Sequence, residues 1–314
     1  MIVSPEKRSA IEANLFPGSL PAIADWTQFP WHLHGNQIDS DVPHSSQALA
    51  LSVFGFVKCA PSAERDIAMN TLATLVGVPT GNGWRIELEW TDHGNPLKER
   101  QRTQLDVFAK HAAGMICVEC KFGEGDGGPC SQPAVIRSGA HAGERQCNDS
   151  YAMQINPVNG REARCALTGK GIRYWQHATE VFTISADIDH RPCPFRYGWY
   201  QWMRNLTLCH ALAEAVPCRG GVLVVYADAP GLPFAEKVRD AEWTRLRALV
   251  RRDRIGFEAV SYQSFLDESV TRIRDAGFNA ATWAQLAEWT ETRIGTVATA
   301  KRSRGARLRA TNSL

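Results

Sequence analysis

Two stretches of alternating residues, Gln104 to Lys110 and Met115 to Phe122, are separated only by His111-Ala112-Ala113-Gly114, and this pair constrains the fold most. A period of two over such a length reads as strand, and so short a connection closes an antiparallel hairpin. Upstream, Arg85 to Trp90 runs Arg-Ile-Glu-Leu-Glu-Trp, which predicts a third strand with Ile86, Leu88 and Trp90 on one face and Glu87 and Glu89 on the other. The three form a meander. Around it the apolar spacing becomes helical. His44 to Val57 has Ser45 or Ser46 as N-cap, Leu49, Val53 and Phe54 inward, and Gly55 as its expected end. A second helix is predicted after Pro61 with Ile67, Leu72 and Leu75 inward, and a third over Trp199 to Ala215. Val222 to Ala227 is a fully apolar strand, and from Phe234 onward the pattern is mostly helical. The order of helix, meander, helix and strand gives an α/β fold.

The organisation expected from these patterns is an irregular arm over 1–43 and a core over 44–230. The core carries a Cys- and Gly-rich insertion over about 123–195, with a strand at Val181 to Ile184. A helical part of the same domain follows over 231–300, then a flexible basic tail over 301–314 with Lys301, Arg302, Arg304, Arg307 and Arg309. A composition of 44% hydrophobic and 22% charged residues excludes a disordered or fibrous body. No apolar run approaches the ~20 residues of a membrane span, and the N-terminus has no secretory pattern. Nine scattered cysteines do not form a disulfide framework, so a reducing cytoplasm is the expected setting. A net charge of +2 means that any nucleic-acid contact must come from one local face.

If the 111–114 loop closes a simple hairpin, Asp106 stands opposite Glu119, and Lys121 lies two residues further along the same face. Two carboxylates and an ammonium so placed suit phosphodiester hydrolysis. The carboxylates hold Mg²⁺, a hard cation with a preference for oxygen, with Mn²⁺ as a substitute. The ammonium positions the attacking water, favours its deprotonated form and offsets charge on the phosphate. The bland alternative is a surface ion-pair row, but the flanking Val107-Phe108 and Met115-Ile116-Cys117-Val118 are too apolar for an edge hairpin.

These residues resemble the second and third motifs of the PD-(D/E)xK nuclease superfamily, in Thr103-Gln104-Leu105-Asp106-Val107 and Val118-Glu119-Cys120-Lys121. The flanking text is similar to a restriction-endonuclease-like bacterial branch. It comprises Ser45-Ser46-Gln47-Ala48-Leu49-Ala50, Glu119 to Glu124, Gly171-Ile172-Arg173-Tyr174-Trp175 and Tyr200-Gln201-Trp202-Met203-Arg204-Asn205. The resemblance implies a restriction-endonuclease-like mixed sheet flanked by helices, a DNA substrate with RNA left open, and Mg²⁺ held by Asp106 and Glu119 with Lys121 beside the water. The first helix departs from the superfamily pattern: it lacks an acidic residue, and Gln47 is the polar group able to face the site. Glu89 and Glu124 are the alternatives for the third ligand.

Arg204, Arg173 and Lys170 are candidate phosphate contacts, with ordinary surface charge as the competing account. His32, His34 and His44 read as loop histidines. Cys130, Cys147, Cys165 and Cys193 could hold zinc or an iron–sulfur cluster, but their spacings of 17, 18 and 28 match no compact motif, so the sequence assigns no metal to them. The rival functions are a catalytically inactive nuclease-fold protein that binds DNA and a cysteine–metal interaction module. The sequence is compatible with a homodimer.

Overall fold

A computed structural model describes residues 3–311, and side chains as far as Ser303. The arm contains helix α1 (Pro5–Ala13), a 3₁₀ turn (Pro17–Ala22) and the two-residue strands β1 (Leu33–His34) and β2 (Gln37–Ile38). Helices α2 (Ser46–Cys59) and α3 (Ser62–Leu75) precede the meander β3 (Arg85–Thr91), β4 (Gln104–His111) and β5 (Gly114–Lys121). The insertion holds β6 (Gln154–Ile155), β7 (Glu162–Ala163), α4 (Ala166–Gly169) and α5 (Tyr174–Val181). After it come α6 (Tyr200–Ala215), β8 (Arg219–Tyr226), α7 (Pro233–Lys237), α8 (Ala241–Leu249), β9 (Gly256–Ser261), α9 (Tyr262–Asp275) and α10 (Ala281–Thr311).

The main sheet has five strands in the order β3-β4-β5-β8-β9. The meander is antiparallel, while β8 and β9 add in parallel, which makes the sheet mixed. Every residue of β5 is buried, as a central strand covered on both faces requires. Leu49, Val53 and Phe54 of α2 pack on one face with Leu72 of α3, Phe265 of α9 and Trp283 of α10. Trp202, Met203 and Leu206 of α6 pack on the other face with α5 and α8. No helix among the described residues is long and apolar enough to cross a membrane.

Several local expectations change. Gly55 does not end α2. It sits inside the helix, where a Cβ would come within 3.1 Å of Ser19 Cβ, so glycine lets the 3₁₀ turn approach. Leu75 is exposed at the end of α3 rather than inward. No strand forms over Val181 to Ile184. Val181 closes α5, and Phe182 makes only an isolated bridge to Val250. The region read as mostly helical contains β9, whose parallel place beside β8 depends on a partner distant in sequence. The α10 backbone is helical into the stretch expected as a tail; residues 312–314 lie outside the described residues.

Candidate active site

The hairpin register is the expected one, with Val107 opposite Val118 and His111 opposite Gly114. Alternation along β5 then sends Ile116, Val118 and Cys120 to the α2 side, and Met115 and Cys117 to the α6 side together with Glu119 and Lys121. Main-chain pairing with β4 stops at Val107–Val118. Beyond it the Asp106 carboxylate takes the open place, where Oδ2 accepts the Cys120 N–H at 2.6 Å.

A second irregularity faces this one. Leu88 pairs with Val107 and Trp90 with Leu105, but the pairing skips Glu89 and Asp106. Glu89 has φ of 50°, a left-handed conformation that costs a residue with a Cβ about 1–3 kcal/mol and is tolerated where the surroundings enforce it. Both strands change faces there. Leu88 stays with the α2-side core, whereas Trp90 crosses to stack on Phe108 at 4.4 Å, against the expectation that Ile86, Leu88 and Trp90 share a face. The twist turns Glu89 inward, where it is 4% exposed.

Glu89 and Asp106 meet His32 of the arm, and one ligand atom from each lies within 4.8 Å of the others. His32 Nε2 is 3.2 Å from Glu89 Oε2, which also accepts from Gln104 Nε2 at 2.7 Å. Glu89 Oε1 is buried and has no hydrogen-bond partner. Burial raises the Asp106 pKa well above the usual aspartate value, and the charges of Glu119 and Glu89 add to this; Lys121 and the Cys120 N–H only partly offset it. Burial disfavours the charged His32 ring, but the hydrogen bond and charge of Glu89, with Asp106 and Asp39, outweigh it and raise its pKa to about 9. Two crowded carboxylates, one with an unpartnered oxygen, beside an imidazole are a donor set that fits a divalent cation.

Gln47 does not point at these carboxylates. Its Oε1 accepts the His32 N–H at 2.9 Å and the Ser40 hydroxyl at 2.6 Å, while Nε2 donates to Pro30 O at 3.1 Å. The first helix thus fixes the arm segment that carries His32.

Glu119 lies outside the His32 trio. Its Oε1 accepts from Lys121 Nζ at 3.1 Å and Gln201 Nε2 at 2.5 Å, and its Oε2 from Asn205 Nδ2 at 3.1 Å. Lys121 Nζ also donates to Gln201 Oε1 at 3.0 Å and lies 5.4 Å from the Trp202 ring centre. Burial works against the Lys121 ammonium, but the charges of Glu119, Asp106 and Glu124 and the Glu119 hydrogen bond raise its pKa above the ordinary lysine value. Glu124 Oε2 accepts the N–H groups of Phe122 and Gly123 and lines a pocket of about 230 Å³ with His32, His44, Ser46 and Lys301. Burial opposes the Glu124 charge; Lys121, Ser46 and the main-chain N–H groups overcome that and lower its pKa.

Of the candidate phosphate contacts, Arg204 pairs with buried Glu99 at 3.1 Å and donates to Thr103 Oγ1 at 3.0 Å, while Tyr174 caps the same carboxylate. Lys170 donates to Gln132 Oε1, and Arg173 is exposed. Sequence reasoning read His32 as a loop histidine; the His-x-His of the arm was the available signal for its place beside Glu89 and Asp106. It also gave no role to Gln201 and Asn205, whose spacing of four on a predicted helix already placed them on one face.

A family model described as Restriction Endonuclease associating with ARP matches residues 8–289. The chain belongs to this family. No curated protein and no solved structure matches it. The match takes in the arm with His32 as well as the meander and α6, so every residue of the two clusters lies within the family's span. Within that span the chain combines a mixed sheet with a carboxylate cluster where β3 and β4 change faces.

Proposed function

We propose that this chain is a divalent-metal-dependent DNA nuclease that hydrolyses phosphodiester bonds. The observation that carries the reading is the convergence of Asp106 with Glu89 and its unpartnered oxygen, next to the Glu119–Lys121 pair, in a restriction-endonuclease family. In this reading Asp106 and Glu89 are the ligands, joined by His32 once its proton has left. This moves the second ligand from Glu119, the residue expected from sequence, to Glu89. The cation, Mg²⁺ or Mn²⁺, supplies Lewis acidity toward the phosphate and lowers the pKa of the attacking water. Glu119, fixed by Gln201 and Asn205, holds the Lys121 ammonium in place. Lys121 orients the water and stabilises charge that grows on the scissile phosphate. Arg173 and the basic stretch from Lys301 supply contacts to the DNA backbone, and the protein works without entering a membrane.

The test is incubation with plasmid and linear DNA in Mg²⁺, Mn²⁺ or EDTA, comparing wild type with Asp106→Ala and Lys121→Ala. Cleavage by wild type in either metal, its loss in EDTA and in both variants, and largely retained DNA affinity are the expected results. Variants that cut as fast as wild type overturn the reading.

A further inference from the structure

The insertion has little regular structure of its own, yet it draws four distant cysteines together. Cys130 N–H donates to Arg196 O at 3.3 Å, three residues beyond Cys193. Cys193 N–H donates to Asp149 O at 3.1 Å, two residues beyond Cys147. Ala152 N–H donates to Arg164 O at 3.0 Å, next to Cys165. These bonds join the four cysteine-bearing segments in one chain of contacts. Each of the four sulfurs is close enough to the other three for their charges to interact. All four are free thiols.

The main chain around them is arranged for thiolates. The main-chain N–H groups of Gln132, of Leu167 and Thr168, and of Phe195 lie on the side of the Cys130, Cys165 and Cys193 sulfurs and favour their charged forms. Gln154 Nε2 lies 3.8 Å from Cys147 Sγ. Donors aimed at sulfur are of little use to a neutral thiol, a weak acceptor, but they stabilise a sulfur that carries charge.

We propose that Cys130, Cys147, Cys165 and Cys193 form a four-thiolate metal centre that holds the insertion together. Binding replaces the thiol protons, which leave to solvent, with bonds from sulfur to metal. Tyr151, Trp175 and Phe195 belong to the apolar cluster against which Cys130, Cys165 and Cys193 pack. Two metal chemistries use such a ligand set. A single zinc with bonds of about 2.3 Å would bring the sulfurs to about 3.8 Å from one another. Among the described residues no three of these sulfurs lie within 4.8 Å of one another, and this wider opening favours an iron–sulfur cluster, whose irons and sulfides stand between the cysteines. The centre is distinct from the carboxylate cluster. It buttresses α5 and the approach to α6, where Gly127 N–H donates to Gly198 O and Gln201 N–H to Gly127 O.

The experiment is elemental analysis of the full chain purified without oxygen, with acid-labile sulfide and visible absorption measured alongside. Iron with matching sulfide and a brown absorption supports the centre as a cluster. One equivalent of colourless zinc supports it as a mononuclear site. Cys130→Ser and Cys165→Ser should each lose most of the metal, while Cys59→Ser and Cys218→Ser keep it. Because the first pair could also unfold the insertion, thiol titration of wild type provides a second measurement. Four thiols should be protected until a chelator is added and protected again on reconstitution with Zn²⁺ or with Fe²⁺ and sulfide. A metal-free native chain whose thiols react alike before and after both reconstitutions overturns the proposal, as does full metal content in the Cys130 and Cys165 variants.

Discussion

His32 Nε2 stands 3.2 Å from Glu89 Oε2, a contact across 57 positions of sequence that ties the arm to the sheet where β3 and β4 change faces. Without a cation the pair is a proton-sharing contact; with one, on the proposed reading, both side chains would be ligands. The same two groups therefore respond to pH in opposite senses depending on whether metal is present.

In EDTA, the raised His32 pKa makes its protonated form a source of stability. The folded value of about 9 lies above the ordinary 6.5, so the contribution is complete below pH 6.5 and disappears as pH rises through about 9. Urea unfolding at pH 6, 7.5 and 9.5 should show wild type losing its advantage over His32→Gln across that interval. A difference that stays constant with pH contradicts the assignment. Mn²⁺ affinity should run the other way and rise with pH, because the ring must lose its proton to bind.

Asp106 is charged at a cost, since burial and two neighbouring carboxylates all raise its pKa. Asp106→Asn retains an oxygen for the Cys120 N–H but removes the repulsion. Metal-free Asp106→Asn should be more stable than wild type by roughly 1–2 kcal/mol and should have no cleavage activity. Thermal unfolding in EDTA measures the first effect. A lower Tm would show that the carboxylate is not the strained group described here.

Gln47 acts on the site through His32 and not by direct contact. Gln47→Ala should weaken Mn²⁺ binding by about 10–100-fold, the usual cost of losing a group that orients a ligand. It should also destabilise the fold by about 1–3 kcal/mol, because Ser40 and the His32 N–H lose their acceptor. Calorimetric titration with Mn²⁺ checks the affinity, and unchanged binding would detach the arm from the metal site.

Arg204 and Arg173 should separate cleanly. Arg204 answers the buried Glu99, so Arg204→Ala should cost about 3 kcal/mol of stability and leave the salt dependence of DNA binding unchanged. Arg173→Ala should leave stability nearly unchanged but reduce the slope of log affinity against log salt by about 1. Urea melts and DNA binding at several salt concentrations decide both.

The hairpin was legible because its signals are local. Alternation fixed the faces of Met115–Phe122 and of β4 from Val107 onward, and the short loop fixed the register that sets Val107 opposite Val118. Ser45 as the cap of α2 and the α6 spacing could be read for the same reason. Glu89 was legible as a candidate but its inward place beside Asp106 was not, since its left-handed φ interrupts the alternation used to read the strand. His32 was assigned to a loop, where the structure has it, because its His-x-His has no paired motif nearby; its approach to Glu89 comes only from the fold. β9 was hidden because a parallel edge strand gains its stability from β8 and α9 more than from its own pattern.

By itself the sequence determined the periodicities and the α/β class, and it nominated Asp106, Glu119 and Lys121, since each depends on side-chain direction over a few residues. Only the tertiary structure decided that Glu89 and His32 approach Asp106, that Gln201 and Asn205 hold Glu119, and that the four cysteine-bearing segments are joined. Those choices arise from contacts between segments tens of residues apart, and they are fixed by packing on the two faces of a single sheet, which no local pattern encodes.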